Sequence, residues 1–402
     1  MIFSLAWRNV WRSRKRSLVV IGAMIVGVWS LIFIISFYNS FYVGFSNNGV
    51  QYEYSHLQIH HPDYLTDPNI NWRVQDLDQV SARLERMESV AASSYRQKIP
   101  GMIASAKTSA GVEIYGVDTE QEAATTLLST LVVDGAYFEG ITRNPILVSR
   151  KIANKLKLKI RSKVVLTFQD LDQEITAASF RVAGIFESKS PRINEGVVYV
   201  RQSDSERLIG GNGIHEVAIL LDDAEDMDEV KHALVGVTPS TVRTYRDIAP
   251  EFSLMEQSSA TTQRTLTVII MLALLFGIVN TMLMAVLERT REIGMLRSIG
   301  MHRGKVFRMI LVETLTLGAI AGPVGLALGY ITVQWLGERG LDLSRYSEAL
   351  QEYGYDAIFY PEIENLTYFG LMITVLITAF VGSIYPAIKA IRINPLEALR
   401  KL

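Results

Sequence analysis

The sequence contains no cysteine among its 402 residues. Disulfide bonds, thiolate metal ligands and cysteine nucleophiles are therefore excluded, and any domain outside the cytoplasm must be stabilised by its apolar core. The sequence also lacks an excess of either charge, because 40 Lys and Arg residues face 41 Asp and Glu residues. The net charge of the chain therefore gives no reason to expect nucleic-acid binding. Hydrophobic residues make up 49% of the chain and the mean hydropathy is +0.19, which favours a protein partly embedded in a membrane.

Four apolar runs are each long enough to cross a hydrocarbon core of about 30 Å. They predict membrane helices over residues 18–38, 265–287, 306–336 and 366–388. Basic residues precede the first run, follow the second and follow the fourth, whereas the connection 337–365 is acidic. By the positive-inside bias, both termini and the connection 288–305 are predicted to be cytoplasmic. The first run is also too long for the apolar region of a typical signal peptide.

The segments between and beyond these runs differ in character. Residues 1–17 place aromatic and basic side chains on different helical faces, which predicts an amphipathic helix in the headgroup layer. Residues 389–402 form a short cytoplasmic tail. Residues 39–264 alternate short β-like and helical segments, which predicts a mixed α/β extracytoplasmic domain ending in a helical stalk. The predicted fold is thus an α-helical membrane protein with four transmembrane helices and a large mixed α/β domain between helices 1 and 2.

Within the large domain the pattern predicts particular elements. Candidate strands cover 56–60, 112–117, 146–148, 163–168, 180–186, 197–200 and 216–221, and candidate helices cover 77–87, 150–156 and 228–235. His60 and His61 suggest a metal site, but adjacent residues of a strand point to opposite faces. With no third ligand at a useful spacing, we interpret both as surface histidines and predict no metal site and no catalytic residue.

The cytoplasmic connection 288–305 carries the most informative segment. Apolar residues recur there at helical spacing, namely Ile293, Leu296 and Ile299, which predicts a short amphipathic helix beneath the membrane. Gly294 and Gly300 are poor helix formers, costing about 1 kcal/mol each relative to alanine. Their presence suggests that something approaches the backbone closely there. The alternative from these residues alone is a solvated basic loop beside lipid headgroups.

Two motifs in this chain resemble a known family. The segment ERTREIGMLRSIG, from Glu288 to Gly300, and the preceding NTMLM resemble the coupling helix of the MacB, FtsX and lipoprotein-releasing LolC and LolE permeases. The ending YPAIKAIRINPLEALR, from Tyr385 to Arg400, resembles the end of the same permeases. Span count, span order and the domain after the first span also match. The resemblance covers nearly the whole chain, weakly through residues 60 to 240.

The resemblance implies a permease subunit of an ABC transporter, without catalysis in this chain. A separate cytoplasmic ABC ATPase dimer would bind ATP and magnesium, so no cofactor is expected here. In agreement, Gly300 to Val306 departs from a phosphate loop in its spacing and lacks the hydroxyl that contacts magnesium. Carried over residue by residue, the predicted ATPase contacts are Glu288, Arg289, Arg291, Glu292, Gly294, Met295, Leu296, Arg297 and Gly300.

Within the family, the lipoprotein-releasing branch is favoured by the stretches 36–45, 55–64, 341–344 and 358–361. This implies a bacterial inner-membrane protein with a periplasmic domain, a second permease subunit of the same or a related kind, a lipoprotein substrate and contact with membrane lipid. Phe33, Phe37 and Phe41 would then meet acyl chains, although interfacial anchoring also explains them. The alternatives are MacB-like efflux of peptides or antibiotics, FtsX-like control of a cell-wall hydrolase, and a membrane-anchored sensor without transport.

The third predicted span contains unusual residues. Glu313 lies about one turn inside it, where an ionisable side chain needs a partner. Pairing with Arg308 or with a neighbouring helix is favoured over a proton pathway. Small residues in the same span predict close helix contacts suited to a subunit interface, namely Gly318, Gly322, Gly325 and Gly329, with Pro323 allowing a kink.

Overall fold

The structure is a computed structural model that describes Arg8, Trp11, Arg12 and residues 14–393. The predicted helix over 1–17 and the predicted tail over 389–402 therefore lie largely outside the described residues. The chain divides into two compact units. The membrane unit comprises Met1–Tyr42, Glu256–Leu343 and Ile358–Leu402, and the large domain comprises Val43–Met255 and Ser344–Ala357.

The helices, in chain order, are α1 (Arg14–Gly49), α2 (Leu77–Leu84), α3 (Thr119–Thr125), α4 (Arg150–Leu156), α5 (Pro191–Gly196), α6 (Gln202–Ile209), α7 (Met227–Leu234), α8 (Tyr245–Ile248), α9 (Pro250–Glu288), α10 (Thr290–Ser298), α11 (Arg303–Arg339), α12 (Ser347–Glu352) and α13 (Asn365–Ile391). The strands are β1 (Leu57–His60), β2 (Val90–Ala104), β3 (Ser109–Val117), β4 (Val132–Gly135), β5 (Pro145–Ser149), β6 (Lys163–Gln169), β7 (Ile175–Phe186), β8 (Val197–Arg201), β9 (Glu216–Leu221), β10 (Thr241–Thr244), β11 (Leu341–Asp342) and β12 (Ile358–Phe359). A π-helical turn, Val50–Tyr54, follows α1.

Four of these helices are long and apolar enough to cross a membrane: α1, α9, α11 and α13. Helices are the expected form for such segments because lipid offers no hydrogen-bond partners to the backbone. The predicted fold class, four membrane helices with a mixed α/β domain between the first and second, is confirmed. Helix α1 continues beyond the predicted span 18–38, and the polar residues 250–264 form the first part of α9.

The glycines of α11 pack within the membrane unit. A Cβ atom added at Gly325 would lie 2.9 Å from Cβ of Val28, and one at Gly329 would lie 2.4 Å from Cδ1 of Ile32. Both partners belong to α1. Two further glycines face α13, namely Gly318 and Gly322. The prediction that these glycines serve a subunit interface is therefore wrong, because their small size lets α11 approach α1 and α13 of the same chain.

The large domain is built on a ten-stranded sheet with the order β10-β1-β9-β2-β3-β8-β5-β7-β4, and β6 pairs with β2 and β7. All seven predicted strands and all three predicted helices are present. Strand β2 was not predicted, yet it pairs with β3, β6 and β9 and thus lies at the centre of the sheet. Its polar residues, which include Arg96 and Lys98, interrupt the apolar alternation by which strands are recognised.

Candidate functional site

Helix α10 lies where the sequence predicts the amphipathic helix. The backbone leaves helical geometry at Arg289, with φ −98° and ψ 17°, so α10 is separate from α9. Ile293 is 4% exposed and packs in the apolar core of the membrane unit, and Gly294 beside it is buried. On other faces, Met295 is 50% exposed and Ile299 is 79% exposed. One face of α10 is therefore held by the membrane unit, while apolar side chains project from another.

Gly300 ends this helix through its backbone conformation. Its φ is +100°, and a Cβ atom added there would meet nothing within 4 Å. The amide of Met301 donates to the carbonyl of Leu296 over 3.0 Å, and the amide of Gly300 donates to that of Arg297 over 3.1 Å. This is a Schellman motif, in which glycine supplies the positive φ. Gly300 is therefore explained by the helix end, and close approach to the backbone at this residue stays a prediction.

Arg289 and Glu313 form a buried ion pair. Nη1 of Arg289 lies 3.2 Å from Oε1 of Glu313, and the side chains are 13% and 7% exposed. The favoured prediction was pairing with Arg308 or with a neighbouring helix, and the structure gives Glu313 a partner in Arg289, at the junction of α9 and α10. The pair links the start of α10 to the first third of α11.

Two further polar contacts hold α10. Nη1 of Arg297 donates to the carbonyl of Ile391 over 3.2 Å and also to the carbonyl of Ile393, at the end of α13. Nη2 of Arg12 lies 2.6 Å from Oε1 of Glu292, with the side chains 63% and 40% exposed. Of the predicted ATPase contacts, Arg289, Glu292 and Arg297 are therefore bonded within the chain. Glu288, Arg291 and Met295 are exposed, Gly300 is exposed at the helix end, and Leu296 is half-buried.

A cavity of about 390 Å³ separates part of α10 from the helices behind it. Its lining is mostly apolar and includes Met282, Met295, Leu296, Met309 and Ile310, together with both ion pairs described above. Ile293 nevertheless shares one apolar core with Val306 and Ile310 of α11, so both apolar packing and the two ion pairs hold α10 in the membrane unit.

The three aromatic residues predicted to meet acyl chains form a ladder along α1. Ring centroids of Phe33 and Phe37 are 6.3 Å apart, and those of Phe37 and Phe41 are 4.9 Å apart. Phe359 of β12 extends the ladder, with its ring stacked 4.0 Å from that of Phe41. Phe359 is 2% exposed. The ladder therefore already packs against the β11–β12 hairpin, a partner that sequence reasoning missed.

A buried cluster of charged residues occupies the middle of the large domain. Arg96 of β2 contacts Glu122 through Nη2 at 2.8 Å and Glu216 of β9 through Nη1 at 2.7 Å, and Lys98 Nζ lies 2.9 Å from Glu216. None of the four side chains is more than 8% exposed. Burial would raise the pKa of Glu216, but Lys98 and Arg96 lower it far below its usual value.

His60 belongs to the same interior, since its side chain is 1% exposed and its Nε2 lies 3.6 Å from a carboxylate oxygen of Glu216. The prediction of a surface histidine is therefore wrong for His60. Its strand, β1, lies between β9 and β10, and its ring stacks on that of Tyr64 with centroids 5.4 Å apart. Burial lowers the pKa of His60 to about 4 despite the nearby carboxylate, which favours the neutral imidazole at pH 7.

These features define a class of molecule, a multi-pass membrane protein with a large α/β domain after its first span and a short helix held between its second and third. Comparison with known families narrows the class. The model described as MacB-like periplasmic core domain matches residues 17–237, and the model described as FtsX-like permease C-terminal matches residues 264–395. The chain belongs to the MacB/FtsX family of ABC transporter permeases.

Curated relatives share this region of sequence. The lipoprotein-releasing system transmembrane protein LolC of Xylella fastidiosa is 25% identical over 233 residues, which are 55% of this chain and 55% of that protein. The macrolide export ATP-binding/permease protein MacB of Nitrobacter winogradskyi is 28% identical over 238 residues, which are 55% of this chain and 34% of that protein. The chain thus matches about half the length of the first relative and a third of the second.

Among solved structures, the extracellular domain of the noncanonic ABC-type transporter YknZ from Gram-positive bacteria is similar to this chain with a TM-score of 0.34 and 14% identity. The match covers 47% of this chain and 98% of that one. This likeness is slight, and family membership follows from the two sequence models.

Proposed function

We propose that this chain is the transmembrane subunit of an ABC transporter that couples ATP hydrolysis by a separate cytoplasmic ATPase dimer to movement of its extracytoplasmic domain. The observation that carries the proposal is the exposed face of α10. Arg291, Met295 and Ile299 follow one another at four-residue intervals and are all exposed, while Ile293 on the opposite side is buried. A helix with one anchored face and one exposed apolar face has the form of an element that enters a groove of a partner.

The proposal includes an orientation in the bacterial inner membrane. Basic residues lie at the N-terminal end of α1 and around α10, so we place both termini and α10 in the cytoplasm and the large domain in the periplasm. A second permease subunit, the same or related, would complete the transporter. The cytoplasmic ATPase would then meet α10 directly, and this chain would contribute no nucleotide site.

For the substrate we propose a lipoprotein, released from the inner membrane for localisation in the outer membrane. The LolC relative, whose name states lipoprotein release, matches this chain over 55% of both proteins. The ladder of Phe33, Phe37 and Phe41 offers apolar surface suited to acyl chains beside α1. Efflux of peptides or antibiotics and control of a cell-wall hydrolase are the competing outcomes of the test.

Because the sequence contains no cysteine, a single introduced thiol can test directly whether α10 binds an ATPase and which side of the membrane it lies on. The variant Met295→Cys, carrying a photoreactive maleimide at its sole thiol, should cross-link to an ABC ATPase in native membranes. The control is Lys107→Cys, in the exposed turn between β2 and β3. A membrane-impermeant thiol reagent, presented to the outer face of the inner membrane, should label Lys107→Cys and spare Met295→Cys. Outer labelling of the Met295→Cys variant, or no ATPase adduct from it, would refute the proposal.

The substrate is tested by trapping the transporter with vanadate, isolating it from native membranes and identifying what is bound by mass spectrometry. An acylated protein supports lipoprotein release. The double variant Phe37→Asp/Phe41→Asp should lose that protein while keeping the ATPase. Phe369→Asp is the matched control, because Phe369 is an exposed aromatic near the corresponding end of α13. A bound peptide, an antibiotic or a cell-wall hydrolase in place of the acylated protein would replace lipoprotein release with the corresponding function.

A further inference from the structure

Three of the polar contacts that hold α10 within the described residues differ in burial. The Arg12–Glu292 pair is largely exposed, with side chains 63% and 40% exposed, and such pairs contribute little to stability. Arg297 bonds to backbone carbonyls at the end of α13, where its side chain is half-buried. The Arg289–Glu313 pair is the most buried of the three. In a low-dielectric environment such a pair is stronger, and losing one partner leaves the other as an uncompensated charge.

The Arg289–Glu313 pair connects the start of α10 to α11. Arg289 is the non-helical residue between α9 and α10, so its side chain marks the junction of the two helices. Glu313 lies on α11, with buried Ile310, Thr314 and Leu317 along the same helix. A cavity of about 390 Å³ lies beside this pair, and Ile293 of α10 is buried in one apolar core with Val306 and Ile310 of α11. A displacement of α10 therefore reaches α11 through the ion pair at its first residues as well as through the packing of Ile293.

We propose that the Arg289–Glu313 pair transmits movement of α10 to the membrane helix α11 and takes no part in holding the ATPase. Arg289 and Glu313 are then positioning residues, whereas the exposed face of Arg291, Met295 and Ile299 binds the ATPase. This inference rests on the proposed function. It also assigns different roles to the ATPase contacts predicted from the sequence: Arg291 and Met295 bind the ATPase, and Arg289 transmits movement to α11.

The test uses the full transporter complex purified from native membranes and reconstituted in liposomes. Three permease variants are compared with the unaltered chain: Glu313→Gln, the charge exchange Arg289→Glu/Glu313→Arg, and Glu338→Gln as a control at the exposed far end of α11. A nitroxide on Lys107→Cys reports ATP-dependent change in the large domain. ATPase content of the complex and ATP turnover are measured on the same samples.

Glu313→Gln should retain the ATPase and its ATP turnover while the ATP-dependent nitroxide change falls at least about tenfold, within the factors of about 5 to 150 typical of coupling between sites. The charge exchange should restore a substantial part of that change, which a merely destabilised protein would not show. Glu338→Gln should behave as the unaltered chain. An undiminished nitroxide change in Glu313→Gln, loss of the ATPase from that variant, or no restoration by the exchange would overturn the inference. Absence of any bound ATPase from the unaltered complex would instead refute the proposed function, and this inference with it.

Discussion

Replacing Arg96 by methionine should destabilise the large domain severely. The guanidinium donates from Nε and Nη2 to the carboxylate of Glu122 at 2.9 and 2.8 Å, and from Nη1 to Glu216 at 2.7 Å. Both carboxylates are fully buried. Glu216 keeps Lys98 at 2.9 Å, but Glu122 is left with the hydroxyls of Ser94 and Thr126 as its described partners. Breaking a buried ion pair by removing one partner costs about 3–5 kcal/mol, a large part of the about 5–15 kcal/mol that stabilises a typical domain.

A second substitution separates this electrostatic cost from simple loss of packing. Glu122→Gln keeps the shape and an acceptor for Ser94, and it removes the charge that Arg96→Met leaves uncompensated. The double variant should therefore recover about 1–3 kcal/mol relative to Arg96→Met alone. The assay is urea-dependent pulse proteolysis of the full chain in detergent at pH 7, with loss of large-domain fragments as the signal.

The electrostatic explanation predicts that Arg96→Met and Glu122→Gln are coupled, so that the double variant is less destabilised than the sum of the two single variants. If Glu122→Gln destabilises the Arg96→Met background as much as it destabilises the native background, the two residues act independently and the explanation is wrong. A loss below about 1 kcal/mol in Arg96→Met would show that the carboxylates are not held by this guanidinium, since surface-like substitutions fall in that range.

Acid should destabilise the large domain before its carboxylates titrate. Burial lowers the pKa of His60 and of His215 to about 4, so between pH 6.5 and 4 the unfolded chain binds more protons than the folded chain. Each histidine should therefore lower the free energy of unfolding by up to about 3 kcal/mol as the pH falls through this range. Pulse proteolysis across that range should show a flatter pH dependence in His60→Gln/His215→Gln, and an unchanged slope would contradict this assignment. Gly329→Leu should lower the melting temperature of the membrane unit, because an added Cβ would lie 2.4 Å from a carbon of α1 and overpacking costs about 1–3 kcal/mol. The control is Gly277→Leu, which should melt as the unaltered chain does because an added Cβ there would meet nothing within 4 Å. Gly300→Val should speed amide exchange in the last turn of α10 because φ is +100°, and Gly300→Asn should do so less; equal exchange in both would argue against a conformational role.

The membrane helices and most strands could be predicted because their signals are local. A bilayer requires long apolar runs, and a half-buried strand requires alternation, so both are visible in a short window of sequence. Strand β2 was missed because its interior residues are charged. Arg96 lies directly opposite Glu216 in the pairing of β2 with β9, and these residues are distant in sequence. A basic pair at two-residue spacing, Arg96 and Lys98, was the available signal, but its acidic partners could not be assigned without the sheet.

The candidate site was predicted in position and less well in detail. The motif located α10 and its apolar spacing, and Arg289, Glu292 and Arg297 also bond within the described part of the chain, while their contacts with an ATPase stay a prediction. Helical periodicity assigns residues to faces but does not reveal what lies opposite each face. The acceptors for Arg297 are backbone carbonyls at the end of α13, which carry no sequence signature. The partner of Phe41, Phe359, lies in a two-residue strand too short to be recognised from its pattern.

If α10 meets an ATPase as proposed, its charges must serve two opposed requirements. Contacts with a partner that binds and moves through a cycle must be exchangeable, and solvent-exposed charges satisfy this because each exposed pair contributes at most about 1 kcal/mol. Contacts that pass the movement on must persist throughout, which favours charges removed from water. Arg291 fits the first requirement and the pair of Arg289 with Glu313 fits the second. Arg289 and Arg291, separated by one residue, would thus have different roles because they differ in burial. Their charge is the same, so charge alone does not account for the difference.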